Sequence, residues 1–387
     1  MKYCLINNLY SPLNIGGAEN IVEIIANSLS VENKVVVITS NNNNDTQEKV
    51  DKNLKIIRLP NNNLYHYLEN KNKSTFFKLI WHLKDLFDFK TASEIQNILK
   101  HEKPDLVMTH NLKGLSYQIP RVIYKLKLRH LHTLHDYQLL DPHGSLYRHG
   151  HNLKQLPFNL KVYKYICLKL FKDIKFVISP SQFVLDKHME NGFFKKAKTF
   201  VIPNPVILTS REQIIKNNEK IKLLYLGQLE EHKGIKLFLE YFTKYNSDLF
   251  ELLIVGDGSL LNELKEKFVS SKIKFLGRVE HSEISNIFKI VDLTVIPSIW
   301  YDNSPTVIYE SYINLTPVLV TNLGGSPELV ENEKTGFIYM YDDYIDLTNK
   351  LEKIAQNRAN LAKYGESGYQ FIKQFEVSGY LDQLKSI

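Results

Sequence analysis

Cysteine and long apolar runs are both scarce in this chain of 387 residues. The two cysteines, Cys4 and Cys167, lie far apart in sequence. Such a pair provides neither the disulfide framework of a small secreted domain nor a cysteine-based metal cluster, which favours a reducing, cytoplasmic compartment. No stretch approaches the roughly 18–20 consecutive apolar residues of a membrane-spanning helix. The apolar run at the start of the chain is also too short for a secretory signal peptide.

Motifs for metal and nucleic-acid binding are also missing. There is no zinc-finger spacing, no RNP-type strand and no recognition-helix pattern. Several histidines cluster between His130 and His151, but their spacing is not that of a zinc site. His130 and His132 would share one face of a strand. We therefore expect no metal site and no nucleic-acid partner.

Length and charge point to two domains of different character. A chain of 387 residues exceeds one ordinary core, and 43% hydrophobic with 24% charged residues is typical of a globular protein. Residues 1–205 hold 29 basic and 17 acidic side chains, a balance of +12, whereas residues 206–387 hold 20 and 25, a balance of −5. The basic first half favours an anionic partner such as an acidic membrane surface or an anionic acceptor.

Apolar β-branched runs alternate with amphipathic helical patterns along most of the chain. This alternation predicts an α/β fold with parallel sheets. The main predicted strands are residues 2–7, 34–39, 54–59, 105–109, 130–134, 293–296 and 317–320. The main predicted helices are residues 76–99, 115–128, 306–313 and a tail near 369–384. Residues 207–220 are predicted to form a polar linker.

Residues 295–330 contain the most informative pattern. Two buried strands enclose a polar loop at 301–305 and a helix at 306–313. Asp302 and Glu310 have seven residues between them, so loop and helix would turn both acids towards one crevice. A Gly-Gly turn follows the second strand and would offer backbone N–H groups to a ligand. Taken alone, two acids at this spacing more often form a solvated helix edge.

This pattern resembles the C-terminal half of retaining glycosyltransferases of family 4, which have the GT-B fold. Their pattern is an acidic residue, seven others, Glu, and then a Gly-Gly-x-Pro-Glu turn, here at 324–328. The first acid is usually Glu, and Asp302 keeps its charge on a shorter arm. The resemblance implies two Rossmann-like domains facing a central cleft. Residues 1–205 with a C-terminal helix at about 370–387 would bind the acceptor, and residues 206–369 the nucleotide sugar.

Three further landmarks match the family. Gly16 and Gly17 form a strand-to-helix turn before Ala-Glu, and His135 follows a predicted strand. The family has Gly-Arg-Leu, then three residues, then Lys-Gly. In this chain Gln228 stands in place of the Arg of that motif, and Lys233 is its Lys. Glutamine donates hydrogen bonds without a charge, so the resemblance places more weight on Lys233 and on backbone amides.

The resemblance assigns a role to each site residue. Asp302 would hold the sugar hydroxyls and Glu310 the ribose. Lys233 would take the growing charge of the diphosphate. His135 would border the sugar from the first domain. The other residues expected to bind substrate are Gly16, Gly17, Gln228, Gly256, Gly258, Arg278, Asn303, Ser304, Pro305, Thr306, Val307, Gly324, Gly325 and Glu328.

The implied reaction moves a hexosyl or N-acetylhexosaminyl group from a UDP- or GDP-sugar to a hydroxyl, with retention and without a metal or prosthetic group. The acceptor would be a glycan or lipid-linked sugar in the synthesis of a surface polysaccharide such as capsule or lipopolysaccharide. Two alternatives stay open: a sugar-nucleotide epimerase of similar architecture, and an inactive protein that binds nucleotide sugars or lipids. The departures at Gln228 and Asp302 keep the second alternative open.

Two segments of the chain are both basic and aromatic, a composition typical of membrane contact. Helix 76–99 places Phe76, Phe77 and Leu83 on one side and several lysines on the other. It is either an interfacial membrane helix or an amphipathic helix whose apolar side packs on the core. Residues 156–176 interleave lysines with aromatic side chains. We expect these faces to touch anionic lipid, with the protein in the cytoplasm and peripheral on the inner face of the plasma membrane.

Overall fold

Parallel β-sheets form the framework of both units of the computed structural model, which describes residues 1–13, 16–43, 45–209 and 219–387. The N-unit comprises Met1–Leu146, Lys154–Pro205 and Val377–Ile387. The C-unit comprises Tyr147–Leu153 and Val206–Glu376. This division differs from the expected boundaries at residues 147–153 and 370–376, both of which belong to the C-unit.

Strands and helices alternate along the described chain, as the sequence pattern predicts. The strands are β1 Lys2–Ile6, β2 Lys34–Ser40, β3 Gln47–Asp51, β4 Leu54–Leu59, β5 Leu106–Thr109, β6 His130–Thr133, β7 Tyr147–Arg148, β8 His151–Asn152, β9 Phe176–Ser179, β10 Lys198–Val201, β11 Ile221–Leu226, β12 Phe250–Val255, β13 Ile273–Gly277, β14 Leu293–Ile296, β15 Val318–Thr321 and β16 Gly336–Tyr339. The helices are α1 Gly17–Ser30, α2 Thr75–Leu86, α3 Phe89–Glu102, α4 Ile119–Lys125, α5 Phe158–Phe171, α6 Gln182–Glu190, α7 Ile235–Tyr245, α8 Leu261–Lys267, α9 His281–Phe288, α10 Thr306–Ile313, α11 Tyr344–Gln356, α12 Leu361–Ile372 and α13 Val377–Ser386.

The sheet of the N-unit has the order β10-β9-β6-β5-β1-β2-β4-β3 within the described residues. All its pairs are parallel except the pair formed by β3 and β4. Its central strands are buried except at the first residues of β1 and β2, which explains why their sequences are mostly apolar. The edge strand β3 is exposed at all five residues. The sequence did not predict β3 because its side chains show no apolar alternation.

The sheet of the C-unit is entirely parallel, with the order β13-β12-β11-β14-β15-β16. Its core joins strand residues such as Leu252 and Leu293 to Phe238 and Phe242 of α7. β14 and α10 lie at the residues that the sequence predicted. Together the two sheets confirm the predicted α/β class.

The predicted helix 76–99 is wrong as a single element, because it breaks into α2 and α3. The Phe87 N–H donates to Lys84 O at the end of α2. The Asp88 carboxylate then accepts from Thr91 N at 3.0 Å and caps α3. The predicted helix 115–128 is also too long, since α4 covers Ile119–Lys125.

Ser181 caps α6, because its side chain accepts a hydrogen bond from Val184 N. Most of the predicted linker, residues 210–218, lies outside the described residues. Among the helices of the described chain, none combines the length and the apolarity that crossing a bilayer requires.

Candidate active site

Two of the predicted charged side chains of the C-unit lie together where its parallel strands end. β11 has β12 on one side and β14 on the other, so the order in which successive strands join the sheet reverses beside β11. Open α/β sheets bind ligands at the carboxyl ends of strands at such a switch point. The loop after β11 carries Lys233, and the loop after β14 carries Asp302. The topology therefore brings together two residues that are 69 positions apart.

Lys233 and Asp302 form an ion pair. Lys233 Nζ lies 2.8 Å from Asp302 Oδ2, and the two side chains are 26% and 10% exposed. Ser298 Oγ and Trp300 Nε1 each donate to the same carboxylate oxygen at 3.2 Å. Lys233 Nζ also lies 4.9 Å from the centroid of the Trp300 ring, a cation–π distance. Three donors thus hold one largely buried carboxylate oxygen.

Glycine permits the loop of Lys233 to touch the loop of Asp302 through backbone atoms. Gly234 has φ +73°, and a Cβ there would lie 1.9 Å from Pro297 O. The Ile299 N–H donates to His232 O at 3.1 Å beside this contact. Only glycine allows so close an approach. Gly234 therefore sets the position of the backbone from which the Lys233 side chain extends.

The Gly-Gly turn supports Asp302 from the other side. Gly324 has φ +66°, and a Cβ there would lie 2.2 Å from Asp302 O. The Gly325 N–H donates to the same carbonyl at 2.7 Å. We expected this turn to offer its amides to a ligand. The structure instead uses the Gly325 amide to hold the backbone of Asp302.

Gly256 and Gly258 pack against the loop after β11. A Cβ would lie 1.8 Å from Gly227 O at Gly256, and 2.4 Å from Leu229 O at Gly258. These contacts account for both glycines without a ligand. Gln228 lies between Gly227 and Leu229 in the loop after β11. It is exposed, and its backbone carbonyl accepts a hydrogen bond from Tyr225 OH at 2.6 Å.

The segment before α10 is largely buried. Asn303 and Ser304 are buried, and Ser304 Oγ lies 2.8 Å from Tyr309 OH. α10 begins at Thr306, so half-buried Glu310 stands just over one turn into the helix. The remaining residues of the segment, Pro305, Thr306 and Val307, are half-buried at the start of α10.

Two predicted binding residues lie on the surface of the C-unit. Arg278 is exposed and follows the edge strand β13, which is two places from β11 in the sheet. Glu328 is exposed in the short 3-10 helix after the Gly-Gly turn.

In the N-unit, His135 follows β6 and pairs with a second histidine. His110 Nδ1 lies 2.9 Å from His135 Nε2. Burial lowers the pKa of His135 to about 4 and holds the pKa of His110 well below its usual range, so both rings are neutral near pH 7. His110 was not predicted. Its position directly after β5, the neighbour of β6, was the available signal.

Two other predicted features of the N-unit have internal partners. The Gly16 N–H donates to the Glu19 carboxylate at 2.9 Å, and α1 begins at Gly17. The Gly16 amide therefore already has an anionic acceptor. His130 and His132 both hydrogen-bond to Thr109 Oγ1, at 2.7 and 2.9 Å. Within the described ranges, no group of three or more His, Cys, Asp or Glu side chains is placed to hold a metal ion.

Asn152 is a site residue that the sequence did not reveal. It ends the hairpin of β7 and β8, and its Nδ2 donates to Ile299 O at 2.8 Å. Its Oδ1 accepts from Tyr301 N at 3.2 Å. The amide thus binds the backbone on both sides of Trp300. No local motif marks Asn152, because its partners lie about 150 positions away.

His232 completes the surroundings of Trp300. The two rings meet edge to face with centroids 5.2 Å apart. Burial, and then the charge of Lys233, lower the pKa of His232 to about 4. Neutral His232 therefore adds no second cation beside Lys233 near pH 7.

Replacing Asn152 with alanine is expected to loosen Trp300 because two backbone hydrogen bonds are lost. The chain has two tryptophans, so a Trp81→Phe background makes Trp300 the single tryptophan reporter. There, Asn152→Ala should red-shift the emission, increase acrylamide quenching and cost about 1–2 kcal/mol of unfolding free energy. The exposed neighbour provides the control variant His151→Ala. Unchanged quenching in Asn152→Ala would show that Asn152 does not order Trp300.

Comparisons with known proteins identify the family of the chain. The model of Glycosyltransferase Family 4 matches residues 15–210, and that of Glycosyl transferases group 1 matches residues 206–371. An uncharacterized 42.6 kDa protein in the cps region of Klebsiella pneumoniae is 30% identical over 90% of this chain and 91% of its own length. The UDP-Gal:alpha-D-GlcNAc-diphosphoundecaprenol alpha-1,3-galactosyltransferase of Escherichia coli is 26% identical over 84% of this chain and 85% of its own length.

A solved structure supports the same fold. HepE of Anabaena in complex with UDP superimposes with a TM-score of 0.70 at 16% identity, with 100% of each chain covered. Two parallel sheets, the matched family models and this superposition agree. The chain therefore belongs to glycosyltransferase family 4 and has the GT-B fold with two Rossmann-like domains.

Proposed function

We propose that this glycosyltransferase moves a hexosyl or N-acetylhexosaminyl group from a UDP- or GDP-sugar to a hydroxyl of a lipid-linked glycan, with retention of configuration. The observation that carries the proposal is the ion pair of Lys233 and Asp302 at the switch point of the C-unit. It places one cation and one carboxylate where parallel α/β sheets bind nucleotides.

The two charges divide the work on the donor. Lys233 faces the diphosphate, whose negative charge grows as the sugar–phosphate bond breaks. Asp302 binds sugar hydroxyls, and Glu310 binds the ribose. Lys233 must turn from Asp302 to the diphosphate when the donor enters. Ser298 and Trp300 then still hold the Asp302 carboxylate in place, because both donate to it independently of Lys233.

The proton of the acceptor hydroxyl passes to a donor phosphate oxygen. His135 of the N-unit, which hydrogen-bonds to His110, is neutral near pH 7 and is therefore not proposed as a second cation. Lys233 and the N-terminus of α10 supply the electrostatic stabilisation that Mg²⁺ supplies in other transferases. The reaction is therefore proposed to need no metal.

The proposed acceptor and donor base are taken from the relatives. The Escherichia coli relative is named for a galactosyl transfer from UDP-Gal to a diphosphoundecaprenol-linked sugar, and HepE was solved with UDP. We therefore favour a UDP-sugar and an acceptor carried on a lipid diphosphate, in the synthesis of a surface polysaccharide. The protein would act at the cytoplasmic face of the membrane, where such donors are present.

A transfer assay in EDTA tests this function. The full chain is incubated with a short-chain lipid-diphosphate N-acetylhexosamine and, in turn, UDP-Glc, UDP-Gal, UDP-GlcNAc and GDP-Man. We expect one donor to give a disaccharide whose new bond has the donor's anomeric configuration by NMR. Inverted product, or activity that EDTA abolishes and Mg²⁺ restores, would contradict the proposal. Isomerised donor without acceptor would identify an epimerase, and nucleotide binding without turnover would identify a binding protein.

A further inference from the structure

The outer face of α2 is apolar, although it faces solvent. Phe76, Leu79, Leu83 and Phe87 recur at helical spacing and are 67%, 58%, 48% and 48% exposed. We call these four residues the α2 stripe. The large side chains of Phe77 and Phe89 flank it and are 54% and 62% exposed. Monomeric globular proteins rarely expose an apolar surface of this kind unless it binds something.

The opposite face of α2 explains why the stripe points outwards. Trp81 is fully buried, stacks on Tyr65 with centroids 5.9 Å apart, and donates from Nε1 to Tyr65 O at 2.8 Å. Both carboxylate oxygens of buried Asp85 accept from Gly114 N at 3.0 Å. These contacts fix the rotation of the helix. The core-facing alternative is therefore wrong for the side chains of the stripe.

The charged side chains at the surface around the α2 stripe are all positive. Between Phe76 and Lys90 the acidic residues are Asp85 and Asp88, and both are buried. Asp88 is engaged with Thr91 at the start of α3. The lysines of the same segment, Lys78, Lys84 and Lys90, are half-buried or exposed. The outward surface is thus apolar and cationic.

A shorter version of this surface occurs on α5 of the same unit. Phe158, Val162 and Tyr165 are 82%, 46% and 60% exposed at helical spacing. Exposed Lys161 and Lys169 lie beside them. Both helices thus present an apolar and cationic surface in the basic half of the chain, so both favour the same kind of partner.

We propose that the α2 stripe docks the N-unit on an anionic lipid bilayer. Amphipathic helices of this type lie in the interface plane, with apolar side chains among the acyl chains and lysines at the headgroups. Each lysine near an anionic surface adds attraction, whereas a neutral bilayer offers none. The inference rests on the proposed function in one respect: a lipid-linked acceptor requires an enzyme that reaches the membrane.

Flotation of the full chain with vesicles tests the proposal without donor or acceptor. Wild type should float with phosphatidylcholine vesicles that contain phosphatidylglycerol and should remain below pure phosphatidylcholine vesicles. The double variant Phe76→Ser/Leu83→Ser should bind the anionic vesicles at least about tenfold more weakly. Lys84→Gln/Lys90→Gln should also bind more weakly and lose most of the salt dependence. A matched control is Val31→Ser/Val50→Ser, which replaces exposed valines of the same unit and should bind like wild type.

Folding is checked separately. Because the stripe is exposed, Phe76→Ser/Leu83→Ser should keep its melting temperature and its stabilisation by UDP. Absence of vesicle binding by wild type, equal binding to both vesicle types, or unchanged binding of the stripe variant would each overturn the proposal. A wild-type dimer that the stripe variant dissociates, without vesicle binding by either, would overturn it in favour of contact between copies. Failure of sugar transfer leaves these results unaffected, so the two proposals fail independently.

Discussion

Lys233→Ala should lower the rate of sugar transfer by roughly a thousandfold, because removal of one group that stabilises developing charge typically costs 10²–10³ in rate. Lys233 has no substitute in the contacts described around Asp302, since Ser298 and Trp300 donate to the carboxylate and carry no charge. His232 stays neutral near pH 7. The diphosphate would therefore leave without a facing cation from this loop.

The measurement separates donor binding from chemistry. Thermal shift with UDP gives the effect on nucleotide binding, and single-turnover transfer gives the effect on the chemical step. Lys233→Arg keeps the charge in a different shape and should recover part of the rate. The matched surface control is Lys236→Ala, which removes a lysine that pairs with Glu263 at 2.6 Å and should behave like wild type. Turnover of Lys233→Ala within tenfold of wild type would remove Lys233 from the mechanism.

The ion pair also affects the free protein. In Lys233→Ala the Asp302 carboxylate, 10% exposed, loses its cation and keeps two neutral donors. Leaving a buried charge without its partner destabilises the folded state, although here the two remaining hydrogen bonds limit the loss. A small fall in melting temperature with a large fall in rate is therefore expected. Equal and large losses of both would indicate a structural role.

The sequence predicted those features that depend on local pattern. Runs of β-branched residues such as those of β2 and β14 predicted the parallel strands, because strands that are buried on both faces are largely apolar. The frame around Lys233 and the spacing around Asp302 identified the family. Topology then required both loops to end at one edge of the sheet.

The rest depends on contacts that no local pattern encodes. Asn152 reaches the Trp300 loop across about 150 positions. The periodicity of α2 showed an apolar face but not its direction, which Trp81 and Asp85 decide through partners elsewhere in the N-unit. The Gly325 amide was expected to bind a ligand, and its partner proved to be Asp302 O. A motif gives residue types, whereas the partner of each polar group follows from the fold.

Gly234→Ala should strongly destabilise the C-unit. Two costs add at this position: the left-handed φ of +73°, and a Cβ placed 1.9 Å from Pro297 O. The first costs an alanine about 1–2 kcal/mol. The second forces a backbone carbonyl to move and costs about 1–3 kcal/mol more. We expect a total of about 2–5 kcal/mol.

Gly277→Ala is the control that separates the two costs. Gly277 has φ +71°, nearly the same as Gly234, but a Cβ there would have no atom within 4 Å. It should show the backbone cost alone. Urea unfolding of the C-unit, followed by Trp300 emission in the Trp81→Phe background, measures both variants. Because Gly234 fixes the approach of the two loops, Gly234→Ala should also weaken stabilisation by UDP, whereas Gly277→Ala should preserve it. Equal losses in the two variants would show that the close contact between the Lys233 and Asp302 loops contributes nothing to the fold or to the site.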